Sequence, residues 1–464
     1  MTLEQAARHA KATVLYPSSV TITGACTDNR RVAPGDIFVA IPGEKADGHD
    51  FAASAVKAGA AAVLAERDPF RGEPLAPVLL AENSVAALGR MARAWRKNFG
   101  GRVAGITGTA GKTTTKELLA NILAVHGKTA KNRMNLNSQI GMPVSMLSAD
   151  GDEKFWVMEA GISRPDDMDE LGPILEPDLA VILNVGPGHA LGLGDKGTAY
   201  YKSRLLAHLA PGGRALVSAD YGDLAKEALA LRPDTIFFSI TGKDVPYRAR
   251  YLGLDETGRG NYGLWLDGEE LTVQSALSGP YAAENIIAAA AAARLFGLSA
   301  EEIKKGVADA PFPAQRFARH ELPGWTLIDD TYNANPLSAR RMLEAAAELA
   351  QGKDLVCVMG AMGELGSVAE EEHRALGREL AGTGCRAVFW LGAHAAEVEE
   401  GLKSLSFAGF FAALSGPEDF LPAFGHWEKS RAAQRPGLVI FKGSRVNRME
   451  RLVTLFMEQK NHAL

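Results

Sequence analysis

The chain has 464 residues, 47% of them hydrophobic and 23% charged, with a formal net charge of -5. At roughly 100 to 200 residues per domain this length predicts about three domains, and the composition excludes a disordered chain. The small acidic excess argues against a nucleic-acid partner, because a surface that binds phosphate backbones needs a basic one.

Three cysteines, Cys26, Cys357 and Cys385, are too few and too widely spaced for a disulfide framework or a cysteine metal site. They are expected as reduced, buried thiols. No apolar run reaches the ~18 residues that span a bilayer, and the amino terminus lacks a signal-peptide pattern. A cytoplasmic protein without membrane insertion is expected.

Residues 1 to 97 carry short strand-like pieces, Ile37 to Ile41 and Ala61 to Leu64, set between Pro-Gly turns, and predict a small α/β domain. Within it Thr27-Asp28-Asn29-Arg30 forms a polar cluster that would by itself pass for a turn.

Between 98 and 309, strands such as Phe155 to Met158 and Leu179 to Leu183 alternate with helices, which predicts a mostly parallel sheet covered on both faces. An alanine-rich helix from Ala282 to Leu295 closes this region; alanine is a strong helix former, and the alanines need no functional explanation. Around Pro311 and Pro313 the pattern breaks. Residues 310 to 464 again alternate strands (Thr326 to Ile328, Leu355 to Met359, Ala387 to Leu391, Leu438 to Phe441) with helices, and predict a second doubly wound, Rossmann-like sheet.

The segment from Gly105 to Thr115 carries the strongest chemical signal. Apolar Val103 and Ala104 precede it and a helical pattern follows from Lys116, the context of a phosphate-binding loop. Gly108, Thr109, Ala110 and Gly111 let backbone N–H groups converge on phosphate oxygens. Lys112 reaches the terminal phosphates, and the Thr113 hydroxyl, followed by Thr114, suits magnesium. ATP and Mg²⁺ are the expected cofactors. The usual nucleotide-loop spacing has a glycine where this chain has Ile106.

Glu159 directly follows one strand and His189 lies soon after another, so both are expected at the edge of the sheet that carries the loop. A carboxylate and an imidazole there can serve magnesium. Lys202, on the helical stretch Thr198 to Leu206, reads by default as a solvated surface lysine. Asp329 to Pro336 closes a strand with short polar side chains suited to hydrogen bonding a ligand. Lys442-Gly443-Ser444-Arg445 has two open readings, a pair of cations near an anionic ligand or a solvated strand end.

In order along the chain these segments resemble the Mur ligases of peptidoglycan synthesis, with Thr107 to Thr114 as their loop, which accounts for Ile106. Asn135 to Pro143, Asp329 to Pro336, Glu364-Leu365-Gly366 with His373, and Phe441 to Arg445 extend the resemblance over nearly the whole chain. It implies an amino-terminal UDP-substrate domain (1 to 97), a central P-loop-type ATP domain (98 to 309) and a carboxy-terminal Rossmann-like domain (310 to 464).

The resemblance also implies roles. Lys112, Glu159, His189 and Lys202 would be catalytic, with Thr113, Glu159, His189 and a carbamoylated Lys202 at the metals. Asn285, Arg316 and Asp330 would contact the nucleotide. Thr27, Asp28 and Arg30 would hold the uridine diphosphate, and Asn137, Ser138, Asn333 and Asn335 the acceptor and dipeptide path. Implied substrates are ATP, UDP-N-acetylmuramoyl-tripeptide and D-alanyl-D-alanine, handled by a monomer. Departures are Lys202-Ser203-Arg204 where the family often has Lys-Gly-Glu, Tyr281 in place of a histidine and Ala361 in place of an aspartate. Competing readings are another Mur-type or folate-glutamate ligase, and a non-catalytic ATP-gated binding protein.

Overall fold

A computed structural model describes residues 1–133, 136–186, 196–311, 314–431 and 435–461. Among these the chain forms three sheets that follow one another in sequence. The first has five strands in the order Thr13–Leu15, Val78–Leu80, Ala62–Ala65, Asp36–Val39 and Gly24–Cys26, parallel except for the first pair.

The second sheet sets the position of the phosphate loop. Its parallel part runs Tyr247–Leu254, Ile236–Ser239, Arg214–Ser218, Leu179–Ile182, Arg102–Thr107, Phe155–Glu159 and Thr129–Lys131. The strands Gly260–Leu266 and Glu269–Ser275 extend it antiparallel, an addition that the alternating pattern did not signal. Successive side chains of a strand point to opposite faces, and here both faces are buried. Ala104, Ile106, Val157, Val181 and Leu183 join one core, while Val103, Trp156, Met158, Ala180 and Ile182 join the other. Near-continuous apolar strands are the result, as in any parallel sheet covered twice.

Helix Lys112–His126 and the alanine helix Ala282–Leu295 lie together on the first of these faces. Every residue from Ala282 to Ala293 is buried. Small side chains all round the helix let it pass between its neighbours, so the run of alanine is a packing requirement as well as a propensity.

The third sheet has six strands in the order Ala318–Leu322, Trp325–Asp330, Gly437–Lys442, Asp354–Gly360, Ala387–Leu391 and Phe410–Leu414, with the first pair antiparallel. Two cores flank it, one of them built on Phe389, Phe420, Phe424, Phe441 and Phe456. Its helix Pro336–Leu349 faces the central unit: Tyr251 donates from there to Glu348 at 2.8 Å.

Two expectations need correction. Cys357 and Cys385 are buried, but Cys26 is only half-buried because it ends the edge strand Gly24–Cys26. The stretch Thr198 to Leu206 is not one helix. It is an α-helix Gly197–Ser203 that tightens into the 3₁₀ turn Arg204–His208, where the Arg204 guanidinium grips Asp169 at 2.9 Å. Among the described residues no helix is long and apolar enough to cross a membrane.

Candidate active site

Strand Arg102–Thr107 ends in the loop 108–111, and Gly111 caps helix Lys112–His126 with φ of +80°. Only glycine adopts that conformation without strain. Space demands it as well, since a Cβ on Gly111 would lie 2.2 Å from Asn285 Oδ1. Asn285 Oδ1 also accepts from Thr115 at 3.2 Å, so the alanine helix braces the start of the loop helix.

Asn184, just past strand Leu179–Ile182, holds the other side of the loop. Its Oδ1 accepts from Thr109 N at 3.1 Å and Ala110 N at 2.8 Å, and its Nδ2 donates to Ala110 O at 3.0 Å. Lys112 Nζ folds back over the loop to Gly108 O at 2.8 Å.

Glu159 terminates strand Phe155–Glu159, which pairs in register with Arg102–Thr107, and so stands beside the loop. Its Oε2 accepts from Thr113 Oγ1 at 2.8 Å and its Oε1 from Asn137 Nδ2 at 2.7 Å. Buried Asn132 grips the Glu159 backbone on both sides, donating to its carbonyl at 3.0 Å and accepting from its N–H at 2.9 Å. Lys116, also buried, in turn donates to Asn132 O at 2.6 Å.

Lys202 is 1% exposed, which overturns the surface reading. Helix Gly197–Ser203 turns it inward beside Lys112 and Glu159. Burial pushes its pKa well below the ordinary lysine range, the Lys112 charge pushes it further, and Glu159 opposes both. Lys112 is likewise lowered, first by burial, with Glu159 opposing and Arg316 adding to it. His189 lies outside the described residues.

The carboxy-terminal unit supplies Arg316. Its guanidinium donates to Thr113 Oγ1 at 3.1 Å and stacks 3.9 Å over the Tyr332 ring. Gln315 and Phe317 on either side have φ of +65° and +58°, a conformation costing about 1 to 3 kcal/mol each in a non-glycine residue. Such strain persists where the surroundings over-determine it, and here it aims Arg316 at the loop.

Asp330 accepts from Lys442 Nζ at 2.5 Å, and Lys442 is 2% exposed. Lys442 is therefore a buried partner of Asp330, neither a solvated strand end nor an unpaired cation. Arg445 remains largely exposed and pairs with Glu450 at 3.1 Å. Asn333 contributes its carbonyl to Lys442 at 3.0 Å, while the Asn335 side chain caps helix Pro336–Leu349 by accepting Ser338 N at 2.9 Å. That cap commits the Asn335 oxygen to the fold.

Thr27, Asp28 and Arg30 follow the edge strand of the first sheet. Arg30 closes on Asp28 with Nε at 2.9 Å and Nη2 at 2.8 Å, which lowers the Asp28 pKa to about 2. Arg30 keeps 81% of its side chain exposed. Ser138 is exposed next to Asn137, and Thr114 is half-buried on the loop helix. Among the described residues no hydrogen bond joins Thr27, Asp28 or Arg30 to the phosphate loop.

Sequence reasoning passed over Asn132, Asn184 and Glu284. Glu284 had a usable signal, the one acid in a helix that is otherwise mostly alanine and isoleucine. The two asparagines had none, because a polar residue after a strand is the commonest turn chemistry.

His373, on helix Ala369–Gly382, is fully buried beneath the segment that contains Glu364. Its Nε2 accepts from Met362 N at 3.0 Å, and its Nδ1 faces Ala369 O at 2.6 Å. One ring nitrogen must accept and the other donate, so the ring is neutral. Burial lowers its pKa, and His394 stacked at 4.3 Å lowers it further. A folded pKa below the unfolded one means that the unfolded chain takes the proton first. The contribution is therefore complete above the ordinary value of about 6.5 and is lost as pH falls below it. Denaturant titrations at about pH 7.5 and pH 5 check this: wild type loses stability on acidification that His373→Gln does not, so the gap between them narrows.

Comparison with known proteins places these features. Models described as the Mur ligase family catalytic domain, the Mur ligase middle domain and the Mur ligase glutamate ligase domain match residues 21–96, 106–293 and 315–445. A UDP-N-acetylmuramoyl-tripeptide--D-alanyl-D-alanine ligase of Synechocystis is 34% identical over 80% of each chain. A crystal structure of MurF from Acinetobacter baumannii superposes with a TM-score of 0.88 at 29% identity, covering 98% of both chains. The MurF ligase of Thermotoga maritima, solved in complex with ADP, superposes with a TM-score of 0.81 at 30% identity, covering 95% of this chain and 98% of that one. With its loop, its three sheets and its sequence all matched in this way, the chain belongs to the Mur ligase family.

Proposed function

We infer that this chain is an ATP-dependent amide ligase of peptidoglycan precursor synthesis, joining D-alanyl-D-alanine to UDP-N-acetylmuramoyl-tripeptide with formation of ADP and phosphate. One observation carries the reading: the phosphate-loop lysine, the Thr113–Glu159 pair and the buried Lys202 meet at one sheet edge. Relatives matching along most of the chain bear this activity in their names.

The chemistry follows from the charges. The terminal carboxylate of the tripeptide attacks the γ-phosphorus of ATP, the bond to the β-phosphate oxygen breaks, and an acyl phosphate and ADP result. The amine of D-alanyl-D-alanine then attacks the acyl carbon, loses a proton, and phosphate leaves as the amide forms. Neither step needs a protein nucleophile; it needs positioning and neutralisation of phosphoryl charge. Lys112 supplies a cation at the loop and Arg316 a second from the carboxy-terminal unit. Asn137 orients the Glu159 carboxylate, and Asn285 and Asn184 hold the loop in shape.

A hydroxyl and a carboxylate side by side are hard oxygen donors, and Thr113 with Glu159 fits magnesium in that respect. Bound there with His189 and Lys202, magnesium would neutralise phosphate oxygens. Lys202 as an ammonium does not fit a cation site, whereas its carbamate does. Burial beside Lys112 favours the neutral amine, which can add to carbon dioxide, forming an N–C bond and releasing a proton.

Thr27, Asp28 and Arg30 are proposed for the uridine diphosphate, where the exposed Arg30 guanidinium suits phosphate. Asn333 and Ser138 are proposed for the dipeptide and acceptor path. Asn335 is assigned through its cap, which sets the start of helix Pro336–Leu349. A non-catalytic binding protein would have no use for a second lysine buried against the first.

Phosphate release from ATP tests the function. It is expected to require UDP-N-acetylmuramoyl-tripeptide and D-alanyl-D-alanine together, and comparable turnover with folate and glutamate, or with single amino acids, would contradict the assignment. In the same assay Lys112→Ala should fold normally and lose on the order of 10² to 10³ in rate. Lys202→Ala should be nearly inactive and regain part of its activity when a short carboxylic acid is added. Wild-type turnover by Lys202→Ala would refute the carbamate.

A further inference from the structure

A buried ion pair joins the carboxy-terminal unit to the phosphate loop through one asparagine. Arg341, on helix Pro336–Leu349, places Nη2 2.8 Å from Glu284 Oε2 on the alanine helix; their side chains are 11% and 1% exposed. The same Glu284 oxygen accepts from Asn184 Nδ2 at 2.7 Å. Asn184 is the residue that receives Thr109 N and Ala110 N.

Every polar position of the Asn184 amide is therefore used. Its oxygen meets two backbone donors and its nitrogen two acceptors, Ala110 O and Glu284. A flipped amide would set donor against donor at Thr109 N and Ala110 N and acceptor against acceptor at Ala110 O and Glu284, so the Glu284 carboxylate is the one partner from outside the loop that helps to fix which way Asn184 faces. The carboxylate is in turn poorly provided for: Oε1 is buried without a hydrogen-bond partner. A buried charge in that state depends on its counter-ion. Arg341 supplies that cation, and the same Nη2 also donates to the Tyr221 hydroxyl at 2.9 Å. Burial raises the Glu284 pKa and Arg341 opposes the rise, consistent with that dependence.

We propose that Arg341 is a positioning residue for the nucleotide: its pairing with Glu284 locks, through Asn184, the conformation of the phosphate loop, so that docking of the carboxy-terminal unit is felt at the loop. The proposal rests on the reading of that loop as an ATP site. It adds a route by which a unit that reaches the site directly through Arg316 also shapes the loop from behind.

Calorimetric titration of the full-length protein with ADP, without acceptor, tests it. Arg341→Met should weaken ADP binding by about 5- to 150-fold, the usual span of coupling between sites, and Arg341→Lys should restore part of the loss. Glu284→Gln keeps the volume and an acceptor for Asn184 and should weaken binding comparably. The double variant Arg341→Met/Glu284→Gln should be no worse than the weaker single one. Tyr251→Phe breaks a different contact to the same helix, at Glu348, and should leave ADP affinity within about twofold.

ADP affinity in Arg341→Met equal to wild type, or losses that multiply in the double variant, would overturn the proposal. So would an equal loss in Tyr251→Phe, which would mean that any loosening of the two units is enough. Should Arg341→Met fail to fold, Glu284→Gln alone carries the same expectation and the same refutation. A wild-type protein that binds no ADP would instead overturn the nucleotide reading, and this proposal with it.

Discussion

The phosphate loop is held in shape by side-chain amides that come from outside it, and much of the architecture serves that constraint. A loop of small residues has no side chains with which to fix itself. Asn184 supplies hydrogen bonds to two of its N–H groups, and Asn285 packs so close to Gly111 that any side chain there would collide. Both asparagines need rigid platforms. The strand Leu179–Ile182 is one, buried on both faces, and the alanine helix is the other, able to approach because its side chains are small. The alanine helix and the glycine at 111 thus meet in one close contact, which Asn285 makes.

Charge is distributed around this loop in a way that packing alone would disfavour. Lys112, Lys202 and Arg316 gather around the Glu159 carboxylate, with Glu364 also acting on Lys112 and both lysines depressed by burial. Desolvating two lysines side by side costs stability unless an anion or a chemical modification uses them. An ATP polyphosphate and a lysine carbamate are the proposed relief. By contrast Lys442 and Asp330 satisfy one another at 2.5 Å, and Lys116 spends its charge on Asn132 and Glu117. Lys442 and Lys116 thus act as structural cations, and Lys112 and Lys202 are the ones proposed for the ligand.

Much of this was legible beforehand, for physical reasons that differ by element. Strands buried on both faces are continuous apolar runs, and those from Phe155, Leu179, Ala387 and Leu438 lie within a residue or two of their expected bounds. The loop announced itself because phosphate binding restricts which residues can stand there. The antiparallel strands Gly260–Leu266 and Glu269–Ser275 did not, since an edge hairpin with one solvated face carries a weaker pattern than a buried parallel strand. Lys202 was illegible for a different reason: a lysine on a helix is solvated in most proteins, and only the packing of Gly197–Ser203, which lies against helix Gly222–Leu231, turns it inward. Asn184, Asn132 and Arg341 act through partners 27 to 120 residues away, distances over which a sequence pattern carries no information. His189 falls outside the described residues, so its role rests on the family resemblance.

The central claim is that this site transfers phosphate from ATP to a carboxylate before the amide forms. The most direct test uses UDP-N-acetylmuramoyl-tripeptide labelled with ¹⁸O in its terminal carboxylate, turned over with unlabelled ATP and D-alanyl-D-alanine. Activation through an acyl phosphate moves one labelled oxygen from the carboxylate into each released phosphate. Mass spectrometry showing that label confirms the account. Amide formation accompanied by phosphate free of ¹⁸O would contradict it.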